Sequence, residues 1–108
     1  MPEFELHVTR GKIPPKDLQA TIDEILAEIA TGEGELADET RAVGMPVDGE
    51  TRISVRSPSA GFDPATMLLL YFASAAGREV GKRFWVKVLW PEIRRRRGAD
   101  AVGGDSES

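Results

Sequence analysis

The stretch from Met67 to Gly77, MLLLYFASAAG, holds no charge over eleven residues and stops at Arg78. It limits what the chain can become, because a sequence of 108 residues has little other material with which to cover it. It falls short of the roughly 18–20 apolar residues that span a bilayer. It must therefore be covered by the rest of a small domain or by a second molecule. There are no cysteines, so no disulfide, thiolate nucleophile or cysteine-ligated metal supports the fold, and packing alone must do so.

Around that stretch the pattern is readable. Phe4, Leu6 and Val8 alternate with Glu5, His7 and Thr9, the period of a half-buried strand. After Gly11 and Pro14-Pro15, Leu18, Ile22, Ile25, Leu26 and Ile29 form the stripe of an amphipathic helix that Gly32 ends. Asp17, Glu24 and Glu28 lie off that stripe and give the helix an acidic outer side. Residues 33–41 read as an acidic loop with one helical turn near Glu35 to Thr40. Asp48-Gly49, between Ala42–Val47 and Thr51–Ser57, reads as the turn of a hairpin, with Ile53 and Val55 on one side of its second arm.

Asp63-Pro64 has the form of an N-cap followed by proline at the first helical position, and Pro91 disfavours helix at Trp90. A long C-terminal helix is therefore expected from Pro64 to about Leu89. On it Ala73, Gly77 and Gly81, four residues apart, make a flat helix-packing groove facing the sheet of the same chain or another helix. Residues 1–97 are expected to form one small domain, and residues 98–108 a disordered acidic tail.

The expected fold is α+β in the order β-α-β-β-α, with a small, mainly antiparallel three-stranded sheet packed against two helices. Over residues 4–89 this order resembles a ferredoxin-like split βαβ unit without its last strand. The likeness concerns element order alone and brings no functional residue with it. A missing strand would leave a sheet edge or a helix face for a partner to cover.

Charge is segregated. Residues 1–60 carry −6, residues 61–97 carry +5 and the last eleven −3, within a net charge of −4. Either a partner reads this asymmetry or an acidic element lies beside a basic one within the chain. Lys82, Arg83, Phe84, Trp85, Lys87, Trp90 and the run Arg94, Arg95, Arg96 and Arg97 make a segment both cationic and aromatic.

Chemistry is thinly represented. The single histidine, His7, lies on the polar side of a strand with no serine nearby in sequence. Ser57-Pro58-Ser59-Ala60-Gly61 lacks the first glycine of a nucleophile elbow, and the histidine precedes it. Gly32-Glu33-Gly34 is followed by no Lys-Ser/Thr, and the acids at 33, 35, 38, 39, 48 and 50 lack EF-hand order. No catalytic residue, metal or cofactor is assigned.

The expected function is a non-catalytic interaction or adaptor module that self-associates or docks another protein through the long C-terminal helix. Tyr71, Phe72, Trp85, Leu89 and Trp90 are its expected anchors, with Arg94, Arg95, Arg96 and Arg97 steering or clamping the partner. The alternatives are a peripheral protein on an anionic membrane and an immunity- or antitoxin-like inhibitor. Nucleic acid is disfavoured by the acidic remainder and by the lack of any recognised binding motif. With no basic, apolar leader in Met-Pro-Glu-Phe-Glu, a cytoplasmic location is expected, with membrane association as the alternative.

Overall fold

The computed structural model describes residues 3–56 and 67–105. Strand β1 (Glu3–Arg10) leads to helix α1 (Pro15–Ala30) and a short helix α2 (Glu35–Ala42), then strands β2 (Arg52–Arg56) and β3 (Met67–Ala73). A long C-terminal helix follows, made of α3 (Arg78–Phe84), a π-helical segment (Trp85–Leu89) and α4 (Trp90–Arg97), and strand β4 (Val102–Asp105) comes last.

The sheet is four-stranded in the order β2-β3-β1-β4, with antiparallel pairing throughout. The three-stranded expectation is thus corrected. β3 lies between β1 and β2, and β1 lies between β3 and β4, so two split βαβ units interleave in the ferredoxin-like arrangement. The strand expected to be missing is β4, which comes from the segment expected to be a disordered tail. Gly11 makes its docking feasible: a Cβ there would stand 2.3 Å from the Ala101 carbonyl oxygen, and the amides of Lys12 and Ile13 donate to Asp100 and Ala101 at 2.8 and 3.1 Å.

The apolar run is the second correction. Residues 67–73 form a central strand rather than the first turns of a helix. With β1 on one side and β2 on the other, every residue from Met67 to Ala73 has a cross-strand partner, and this outweighs the helix preference of leucine, methionine and alanine. Ser74 then closes a tight turn by accepting the Ala76 amide at 3.2 Å, so Gly77 is the N-cap of α3. Ala73, Gly77 and Gly81 accordingly form no common helical groove, because they lie on a strand, at a cap and in a helix.

The third correction concerns the helix end. Pro91 has no amide hydrogen to donate one turn back, yet the helix passes through it. The segment ahead of it widens to π geometry, and the Trp90 amide donates to the Trp85 carbonyl five residues earlier. The hairpin expected at Asp48-Gly49 is corrected as well. That turn exists, with the Asp48 carboxylate accepting the Glu50 amide at 2.8 Å, but residues 42–47 contribute no strand and β2 pairs with β3 instead. The expected turn at 57–62 and the Asp63-Pro64 cap lie outside the described residues.

The core sits on one side of the sheet. Phe4, Leu6 and Val8 from β1, Leu68, Leu70 and Phe72 from β3 and Ile53 from β2 meet Leu18, Ile22, Ile25, Leu26 and Ile29 from α1, the stripe read from sequence. The C-terminal helix adds Phe84, Trp85, Val88, Leu89 and Ile93. Each such side chain, removed from water, contributes roughly 1.5–3 kcal/mol before chain entropy opposes it. Phe4 stacks on Phe72 with ring centroids 4.7 Å apart, tying β1 to β3 at the end of the sheet nearest α3.

β2 is an edge strand, and its outer side is closed in an unusual way. Gln19 of α1 donates from Nε2 to the Ile53 carbonyl at 2.8 Å and accepts the Val55 amide on Oε1 at 2.7 Å. One primary amide thereby stands in for a neighbouring strand's peptide group. An incoming chain meets that edge already occupied.

Candidate interaction surface

The residues expected to form one docking surface are distributed over three environments. Phe72, Trp85 and Leu89 are wholly buried among core side chains of the same chain. They are corrected from surface anchors to core, because sheet and helices together supply the cover that the sequence reading expected from a second molecule. Tyr71 points to the opposite side of the sheet, where its hydroxyl is hydrogen-bonded to Glu3 and the Arg56 guanidinium lies 4.2 Å from its ring centroid. The hydrogen bond to Glu3 holds the phenol above its ordinary pKa.

Trp90 stays on the helix surface, half-buried. Its indole N–H donates to the Val102 carbonyl at 3.0 Å and its ring lies under the Arg94 guanidinium at 5.0 Å. It anchors β4 on its own chain and still shows part of its ring.

The arginine run divides in the same way. Arg96 reaches Glu92 and Glu28, each at 2.6 Å, and Glu24 at 3.9 Å. Arg95 pairs with Glu92, and Arg97 donates to the Thr21 hydroxyl at 2.9 Å. The run thus bolts the C-terminal helix to the acidic outer side of α1, and part of the charge asymmetry is compensated within the chain. Glu92 is the hub and is nearly buried. Burial pushes its carboxyl upward, but hydrogen bonds from Arg95 and Arg96 and their positive charges outweigh that and hold it below the usual carboxylate range. Both guanidiniums are raised in turn, first by their hydrogen bonds to Glu92.

A different set faces outward. The inward side of the helix is Gly81, Phe84, Trp85, Val88, Leu89, Glu92 and Ile93. The outward side therefore carries Arg83, Val86, Lys87, the visible part of Trp90, and Arg94. Val86, at 40 % exposure, is the one large hydrophobic side chain exposed among the described residues. The sequence held Arg83 and Lys87 in its cationic segment. Val86 was also legible, because at helical spacing it falls outside the core stripe of Val80, Phe84 and Val88.

A cleft of about 570 Å³ opens beside this helix, lined by Glu33, Glu35, Glu39, Leu36, Arg95 and Pro91 among others. Its arginines are those engaged with Glu92, so it is a mixed-charge trough beside the internal clamp. Among the described residues no group of three or more histidines, cysteines, aspartates or glutamates is disposed to hold a metal ion, and no helix is long and apolar enough to cross a membrane. His7 lies on the outer side of the sheet, cross-strand from Leu69. Ser57 and Ser59 lie outside the described residues. No family model, curated protein or solved structure matches the chain.

Proposed function

We propose that this protein is a non-catalytic interaction module that docks an acidic protein surface through the outward side of its C-terminal helix. Val86 carries the reading: a lone exposed aliphatic side chain between Arg83 and Lys87, with Trp90 one turn and Arg94 two turns further on. An apolar centre within a cationic rim is the composition of a protein-docking patch, in which the anchor supplies affinity and the rim supplies rate and orientation. Arg95, Arg96 and Arg97 belong to the fold in this reading, and Arg83, Lys87 and Arg94 meet the partner. An anionic membrane would meet the same helix, but the acidic outer sides of α1 and α2 work against approach to it.

The test is site-specific photo-cross-linking from position 86 of the full chain in its native lysate, beside co-sedimentation with phosphatidylserine-containing vesicles. The expected result is one discrete protein adduct that weakens as salt rises and is absent with Arg83→Glu plus Lys87→Glu, and no pelleting with vesicles. Salt-sensitive vesicle binding without a protein adduct, or an adduct indifferent to the charge reversal, overturns the proposal.

A further inference from the structure

The side of the sheet turned away from the helices has a second, independent organisation. On β1, β3 and β2 its residues fall into three columns that the strand registers fix, with β4 beyond β1. β1 supplies Glu3, Glu5, His7 and Thr9, β3 supplies Met67, Leu69, Tyr71 and Ala73, and β2 supplies Arg52, Ser54 and Arg56. In rows across the sheet these read Glu3–Ala73–Arg52, Glu5–Tyr71–Ser54 and His7–Leu69–Arg56. A column of half-buried Met67, Tyr71 and Ala73 and buried Leu69 thus runs down the middle, with Glu3 and Glu5 on one flank and Arg52 and Arg56 on the other. Glu3, Glu5, Arg52 and Arg56 are exposed.

We infer that this sheet face binds a second copy of the same chain about a two-fold axis. The charge pattern decides the occupant. A two-fold axis running along β3, above its outer column, exchanges the flanks of two sheets laid face to face and leaves each row on its own level. Arg52 of one copy then faces Glu3 of the other, Ser54 faces Glu5, Arg56 faces His7, and the half-buried Met67 and Tyr71 meet their own equivalents, with Leu69 buried between them. Each contact occurs twice, which is the definition of a self-complementary, isologous interface. A face with one charge sign would repel its own copy, and this face attracts it. Tyr71 sets the two flanks, because its ring carries Arg56 and its hydroxyl holds Glu3. Sheets packed face to face align within about 30° of each other, close enough to parallel for three rows to remain matched. This surface is separate from the helix side assigned above, so the two readings stand or fall apart.

The experiment is sedimentation velocity on the full chain and two charge-reversed variants, one carrying Arg52→Glu and Arg56→Glu, the other Glu3→Arg and Glu5→Arg. Wild type is expected to dimerise in the micromolar range. Either variant alone is expected to weaken self-association at least about tenfold. An equimolar mixture is expected to recover a dimer, because the reversed positions 3 and 52 then meet opposite charges across the two-fold axis. Circular dichroism shows whether each variant folds, and the single changes Arg52→Glu and Glu3→Arg serve as a milder pair should a double variant unfold. A monomeric wild type, a dimer indifferent to the reversals, or a mixture that stays monomeric overturns the inference. A dimer lost instead on Arg83→Glu plus Lys87→Glu also overturns it and moves the contact to the helix.

Discussion

The Phe4 ring lies so close to Gly81 that a Cβ at position 81 would stand 1.9 Å from its Cζ. Alanine at an exposed helical position is worth up to about 1 kcal/mol over glycine, yet here it forces the ring to move. The ring is not free to do so without loss, because it is stacked on Phe72. Gly81→Ala is therefore expected to destabilise the protein by about 1–3 kcal/mol through overpacking. In a Phe4→Ala background the same change should become neutral or stabilising. Urea unfolding of the four proteins of this cycle gives the coupling, and a Gly81→Ala penalty that persists without the ring would contradict the explanation.

Gln19 sets up a comparable test at the sheet edge. Its amide serves one acceptor and one donor of β2, so Gln19→Ala leaves the Ile53 carbonyl and the Val55 amide without that partner. The expected cost is about 1–3 kcal/mol. Gln19→Glu keeps the acceptor and loses the donor, and it places a carboxylate against the Ile53 carbonyl. It should therefore rescue little or nothing. Hydrogen exchange at Val55 provides the local readout: its amide should exchange faster in Gln19→Ala than in Gln19→Glu, which can still accept it.

These two contacts also mark how far the sequence could be read. The period-two pattern of Phe4, Leu6 and Val8 and the helical stripe from Leu18 to Ile29 each admit one solution, and both elements form as expected. Residues 67–73 do not, since an uncharged run with apolar residues at every position fits a helix or a fully paired central strand, and only the neighbours on both sides decide. β4 is less legible still. Val102-Gly103-Gly104-Asp105 has no periodicity, and it becomes a strand because Gly11 permits the approach and β1 offers an open edge, both long-range facts. Phe72, Trp85 and Leu89 failed as anchors for the same reason: an apolar residue on a presumed helix has no assigned cover until the sheet is known.

Trp90 is expected to hold β4 in place. Its indole N–H reaches Val102, and no phenylalanine can make that bond. Trp90→Phe should leave the sheet β2-β3-β1 intact while β4 frays. Hydrogen exchange should therefore quicken at Lys12 and Ile13, whose amides donate to Asp100 and Ala101, with no change on β3. A uniform loss of protection would show instead that Trp90 supports the whole core.

Glu92 makes stability depend on acid. Its carboxyl is lowered in the folded chain, because the hydrogen bonds and charges of Arg95 and Arg96 overcome the opposing effect of burial. An unfolded glutamate titrates near pH 4.3. The folded chain binds the Glu92 proton more weakly than the unfolded chain does, so this group's stabilisation is fully present above that pH. It is lost as pH falls from there through the lower folded value. Glu92→Gln removes the titrating group, and with it the charge that holds Arg95 and Arg96. The variant should be less stable than wild type at neutral pH, and the gap should narrow below about pH 4. Urea midpoints at neutral and acid pH measure both differences. Parallel pH profiles for the two proteins would mean that the arginines hold the helix to α1 through Glu24 and Glu28 without need of this hub.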